Sequence, residues 1–140
     1  MEKLTIFTDG GARGNPGPAG AGAVVLDAQG SVLKEVSKYL GNQTNNVAEY
    51  EAVILGLQTV KKLFGKKARG MRIEIKLDSE LIARQLSNKY QIKEPTLFPY
   101  FIKAHNMLVA DFHNVTFTHV PREKNKEADR LANKAMDSSA

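Results

Sequence analysis

The stretch NNVAEYEAVILGLQTVKKL, Asn45 to Leu63, constrains the fold more than any other. It carries Val47, Ala48, Tyr50, Ala52, Val53, Ile54, Leu55, Leu57, Val60 and Leu63, so a helix here is apolar around most of its circumference. Such a helix is stable only when covered on nearly all sides. A sheet is the natural cover, and the flanking segments read as strands. Lys3–Asp9 is rich in Thr, Ile and Phe, and Ala19–Asp27 leads into a turn at Ala28-Gln29-Gly30. Val32–Leu40 returns from that turn. Arg72–Leu77 alternates Ile73, Ile75 and Leu77 against Arg72, Glu74 and Lys76, and Val115–Val120 is the fifth strand. Further helices are expected over Ser79–Asn88, Leu97–Asp111 (Phe98, Phe101, Ile102, His105, Leu108 and Val109 on its apolar face, with Phe112 just beyond) and Asn125–Met136. The order β-β-β-α-β-α-α-β-α predicts an α/β fold with a five-stranded mixed sheet flanked by helices. Three strands are antiparallel; two more reach the sheet by right-handed crossovers and run parallel to the first.

The length of 140 residues fits one domain, 1–140. Without cysteine the chain has no disulfide and no thiolate metal site. No apolar run reaches the ~18 residues of a membrane helix, and the N-terminal residues carry no secretory h-region; a cytoplasmic monomer is the expectation. The net charge of +5 leans mildly toward polyanionic partners.

Four of the acids stand out by position. Asp9 ends a strand expected to be central, where a lone carboxylate is costly without a partner or an ion. Glu49 shares a helix face with Val53, Gly56, Val60 and Leu63, the face that should meet the sheet. Asp78 follows the fourth strand in KLDSELIARQL, and Asp129 lies early in the helix of HVPREKNKEADRLANKAM. Each also has a local structural explanation: a turn cap for Asp9, the helix dipole for Glu49 and Asp129, an N-cap for Asp78. Together they fall at one end of one sheet, where they would repel and raise one another's pKa values. A bound cation accounts for that convergence, and oxygen-only ligands favour Mg²⁺ or Mn²⁺ over Zn²⁺.

The chain also spends six glycines and two prolines between Asp9 and Gly22. TDGGARGNPGPAG, TNNVAEYEAV, LDSELIARQL and HVPREKNKEADRLANKA, in this order, resemble the motifs of a type 1 ribonuclease H, and the resemblance runs from Thr8 to Ala135. It implies a ribonuclease H-like fold and hydrolysis of the RNA strand of an RNA–DNA hybrid with two divalent ions, leaving 5′-phosphate and 3′-hydroxyl ends. The implied metal and catalytic set is Asp9, Glu49, Asp78 and Asp129, with Asp9 as bridging ligand. By the same resemblance Asn15, Asn45 and Asn46 touch the hybrid, and Thr44 with Asn15 holds a phosphate of the DNA strand. Gly10, Gly11 and Gly14 would let the backbone approach the nucleic acid and reach ribose 2′-hydroxyls.

Relatives carry a histidine or an arginine in the loop before the last aspartate. Here Arg122 fits that place better than His119, which reads as the end of the fifth strand beside Val115 and Phe117. The lysine-rich helix of some relatives is missing: between Gln85 and Asn114 there are only Lys89, Lys93 and Lys103. No separate hybrid-binding domain is expected ahead of the catalytic one, and hybrid binding should be strongly salt-dependent. Two other readings remain open at this point, a non-catalytic hybrid-binding module and a ribonuclease H-like domain acting on DNA.

Overall fold

The computed structural model describes residues 2–138. Strands β1 (Lys3–Ala12), β2 (Gly17–Leu26) and β3 (Val32–Gln43) form an antiparallel meander. Helix α1 (Asn45–Phe64) and a 3₁₀ segment, Gly65–Gly70, lead to β4 (Arg72–Leu77). Helices α2 (Glu80–Leu86) and α3 (Phe98–Asp111, after a 3₁₀ turn at Pro95–Leu97) precede β5 (Asn114–His119). A 3₁₀ turn at Arg122–Lys124 precedes α4 (Lys126–Asp137). The sheet order is β3-β2-β1-β4-β5, with β4 parallel to both β1 and β5. The expected five-stranded mixed sheet with β1 at its centre is what forms. No helix among the described residues is long and apolar enough to cross a membrane.

Helix α1 is buried along most of its length and supplies Tyr50, Val53, Leu57 and Val60 to the core. These pack on Leu4 and Ile6 of β1, Val25 of β2 and Ile73 and Ile75 of β4. Tyr50 Oη donates to Gln85 Oε1 at 2.7 Å, tying α1 to α2. Two apolar faces differ from the sequence expectation. Leu63 is exposed, while its neighbour Phe64 packs against the core. On α3 only Ala104 is fully buried, and Phe98, Ile102 and Val109 face solvent. The helix is rotated so that Phe101 and Leu108, with Phe112 beyond its end, meet the core.

The larger correction concerns β1. It does not end at Asp9; Gly10, Gly11 and Ala12 continue it, paired with Ala21, Gly20 and Ala19. Most of the glycine-rich stretch is therefore sheet, and only residues 13–16 form a turn. Two glycines show why. A Cβ on Gly10 would lie 2.1 Å from the carbonyl oxygen of Ala48 in α1, and one on Gly22 would lie 2.5 Å from that of Ala128 in α4. The missing side chains let one helix settle on each face of the sheet. Close approach at Gly10 thus admits α1, a use of the missing side chain that the sequence reading did not include.

Gly22→Ala should push α4 off β2 and lower stability by about 1–3 kcal/mol, the range for overpacked interiors. Urea unfolding of the two proteins measures it, and a loss indistinguishable from zero would contradict the contact.

Candidate metal and nucleic-acid site

β4 stops one residue before the site. The last parallel pair is Thr8 with Leu77, so Asp9 and Asp78 are the next residues on neighbouring strands running the same way. Ser79, not Asp78, caps α2: its Oγ accepts from Ile82 N at 3.3 Å. The N-cap explanation for Asp78 is thereby removed. Glu49 is the fifth residue of α1, and the first turn of that helix holds no acid. Its position is therefore not a helix-dipole effect, which fades beyond the first turn. One carboxylate oxygen from each of Asp9, Glu49 and Asp78 lies within 4.8 Å of the other two. Asp129, in the first turn of α4 as expected, is not one of that trio, but its charge is felt at Asp9.

Asp9 and Glu49 are each only 7% exposed. Burial, then the charge of Asp78, raises the Asp9 pKa from 3.8 to about 8, with Asp129 adding to the rise. Burial, then the charges of Asp9 and Asp78, also pushes Glu49 up. Gly10 N donates to Glu49 Oε1 at 3.4 Å, but Glu49 Oε2 is buried with no partner among the described residues. A buried carboxylate oxygen without a partner, on a residue grouped with two other carboxylates and no histidine or cysteine, fits a hard divalent cation.

The candidate substrate residues line the adjoining rim. Asn15 Oδ1 accepts from Asn45 N at 3.0 Å, and Asn45 Oδ1 accepts from Ala12 N at 2.8 Å. Both side-chain oxygens thus brace the β1–β2 turn against the start of α1, and both Nδ2 groups remain as donors at exposed positions. Thr44 caps α1, its Oγ1 accepting from Val47 N at 3.3 Å. Asn46 Nδ2 instead donates to Glu94 Oε2 at 3.4 Å, a partner it must leave to meet a ligand. Gly11 lies two residues beyond Asp9 on the continued strand. Arg122 is exposed in the turn before α4 and hydrogen-bonds through its side chain to no described residue. His119 ends β5, as its alternation implied. Residues 87–94 contain neither helix nor strand.

One residue that positions the site has a role the sequence does not display. Asn125 precedes α4, as an N-cap should, but its side chain makes no cap bond. It is 1% exposed, and its Nδ2 donates to the carbonyl oxygen of Thr8 at 2.9 Å. It therefore fastens the start of the Asp129 helix to the strand residue before Asp9. A polar residue at a helix start gives no signal that separates these two uses.

Known proteins share this arrangement. The family described as Reverse transcriptase-like matches residues 7–135. A bifunctional protein of Mycobacterium tuberculosis is 44% identical over 99% of the chain, which spans only 36% of that protein's length. A ribonuclease H of Hydrogenovibrio crunogenus is 31% identical, with 98% of this chain and 97% of that protein covered. Among solved structures, LC11-RNase H1, isolated from compost, is 50% identical with a TM-score of 0.93, covering 99% of each chain. The same protein in complex with an RNA/DNA hybrid matches at 49% identity and the same TM-score, over 97% of this chain and 98% of that one. The motifs from Thr8 to Ala135, the sheet order and these relatives agree: the chain belongs to the type 1 ribonuclease H family.

Proposed function

We propose that this chain is a divalent-metal-dependent endonuclease that hydrolyses the RNA strand of RNA–DNA hybrids, leaving 5′-phosphate and 3′-hydroxyl ends. The convergence of Asp9, Glu49 and Asp78 within 4.8 Å, with the charge of Asp129 felt at Asp9, carries the reading. A relative whose structure holds an RNA/DNA hybrid supports the choice of substrate. A binding module would gain nothing from four repelling acids, and no feature of the chain favours DNA cleavage over hybrid cleavage.

Asp9, Glu49, Asp78 and Asp129 would hold two ions, Mg²⁺ by preference and Mn²⁺ in its place, with Asp9 shared between them. When bound, such a pair supplies positive charge to the entering and leaving oxygens of an in-line displacement at phosphorus. The chain does the positioning. Asn15, Asn45 and Thr44, at the positive end of α1, offer donors to phosphate and ribose oxygens. The backbone at Gly10 and Gly11 sits beside Asp9, where a 2′-hydroxyl would mark the RNA strand. Asn46 joins them once released from Glu94. Arg122, unengaged and close in sequence to Asp129, is assigned to turnover. A single domain over 1–140, acting as a cytoplasmic monomer, is consistent with this chemistry.

Asp9→Asn should lower hybrid cleavage by more than about 100-fold, beyond the usual cost of losing an outer-layer partner. Labelled hybrid, duplex RNA and duplex DNA, each with Mg²⁺ or chelator, provide the assay, and wild-type rates in the variant would refute the site. Arg122→Ala should reduce kcat on the hybrid more than His119→Ala does; the reverse order would move the turnover role to His119.

Stability without metal should follow the raised carboxylates. The folded chain holds a proton on Asp9 up to pH about 8, whereas the unfolded chain releases it near 3.8. The stabilisation is complete below the unfolded value and is lost as pH rises through the folded one. The metal-free wild type should therefore lose Tm relative to Asp9→Asn between pH 5 and 9, and millimolar Mg²⁺ should close the gap by linkage. Parallel Tm profiles of the two proteins would contradict this.

A further inference from the structure

We propose that Asn133 is a positioning residue for Asp129 and that Arg13 holds Asn133 in the orientation this requires. The proposal rests on reading the four carboxylates as a metal site. Asn133 lies four residues after Asp129 on α4, so the two side chains share a face. Asn133 Nδ2 donates to Asp129 Oδ1 at 3.3 Å and to the Asp129 carbonyl oxygen at 3.0 Å. At its other end Oδ1 accepts from Arg13 Nη2 at 3.4 Å. The same guanidinium nitrogen lies 3.5 Å from the Asn133 carbonyl oxygen and 2.6 Å from Asp137 Oδ1. With two acceptors facing its nitrogen and a cation facing its oxygen, the amide has one favourable orientation.

That orientation matters because a carboxylate on the first turn of a helix is otherwise free to change rotamer. Fixing it costs side-chain entropy when a ligand binds. Asn133 fixes one oxygen beforehand, on a carboxyl group whose charge is felt at Asp9. Arg13 comes from the turn that also carries Asn15, 120 residues away in sequence from Asn133. The turn assigned to nucleic acid and the aspartate assigned to metal are thus joined through two side chains. The competing reading is a surface network that only fastens α4 to the turn.

Calorimetric titration of Mn²⁺ without substrate distinguishes the two, with hybrid cleavage kinetics alongside. Asn133→Ala suits the helix, since alanine has the higher propensity. Lys134→Ala, an exposed neighbour, serves as control. For Asn133→Ala we expect the dissociation constant of the weaker ion to rise about tenfold. We also expect kcat to fall at fixed metal and recover at higher metal, with KM for hybrid within about twofold. Arg13→Ala should weaken metal binding less, and should add nothing to metal binding once Asn133 is gone. Unchanged metal affinity in Asn133→Ala, whether kcat holds or falls with Tm, would overturn the proposal while leaving the metal site intact. A wild type that binds no Mn²⁺ and cuts no hybrid would instead remove the site reading, and this proposal with it.

Discussion

Beyond Thr8, strand β1 loses its partner on one side, because β4 stops at Leu77 while β1 stays paired with β2 as far as Ala12. The sheet has a notch there, next to its central strand. Asp9 and Asp78 flank it as the residues just past the last parallel pair. Glu49 reaches the notch from α1 on one face, and Asp129 from α4 on the other. Strands of equal length would have filled the notch with ladder hydrogen bonds and kept the two helices' acids apart. Unequal strand length is therefore what lets Asp9, Glu49 and Asp78 meet, with the charge of Asp129 felt at Asp9.

Gathering these charges opposes folding. Moving Asp9 from its ordinary pKa to about 8 corresponds to several kcal/mol against its ionised form at alkaline pH, with each unit worth about 1.4 kcal/mol. That is a sizeable share of the roughly 5–15 kcal/mol that holds a domain together. The opposing packing is substantial: α1 is anchored by Tyr50, Val53, Leu57 and Val60, and the bare backbone of Gly10 lets it sit close enough for Glu49 to reach in. On the other face Gly22 admits α4, and Asn125 fastens its start to the Thr8 carbonyl. Glu49 thus stays buried with one oxygen unpaired, because the helix carrying it is held by contacts elsewhere along its length.

The strands β1 to β5 and the buried helix were legible because each rests on periodicity. Ile73, Ile75 and Leu77 alternate, and all three are buried; α1 is apolar nearly all round and is the central helix. The four acids were legible as misfits, since a carboxylate at a strand end or on a core-facing helix surface breaks a pattern. What stayed hidden was whatever depends on contacts between distant segments. Glycine reads as loop in a sequence, so the continuation of β1 through Gly10–Ala12 was missed; α1 and α4, which demand those glycines, lie far along the chain. Asn125 and Ser79 each look like a helix cap, but only Ser79 is one through its side chain. The face of α3 was misjudged because its apolar residues outnumber the positions the core can cover, and Phe98, Ile102 and Val109 were left in solvent.

The glycine-rich stretch thus has two functions of opposite character. In its first part, missing side chains admit a helix to the sheet and bring Glu49 to Asp9. At residues 13–16 the same economy frees a turn whose polar groups are largely used within the protein. Asn15 gives its oxygen to Asn45 N, and Arg13 gives its guanidinium to Asn133 and Asp137. The outward groups of Asn15 and Asn45 are donors only, which suits a ligand whose accessible oxygens are phosphate and ribose acceptors. A rim of donors beside a well of acceptors requires something electropositive between a polyanion and the carboxylates, since Asp9, Glu49, Asp78 and Asp129 would otherwise repel the phosphate that the rim attracts. Ions that relieved repulsion among the acids would therefore also reverse the sign of the site toward a polyanion.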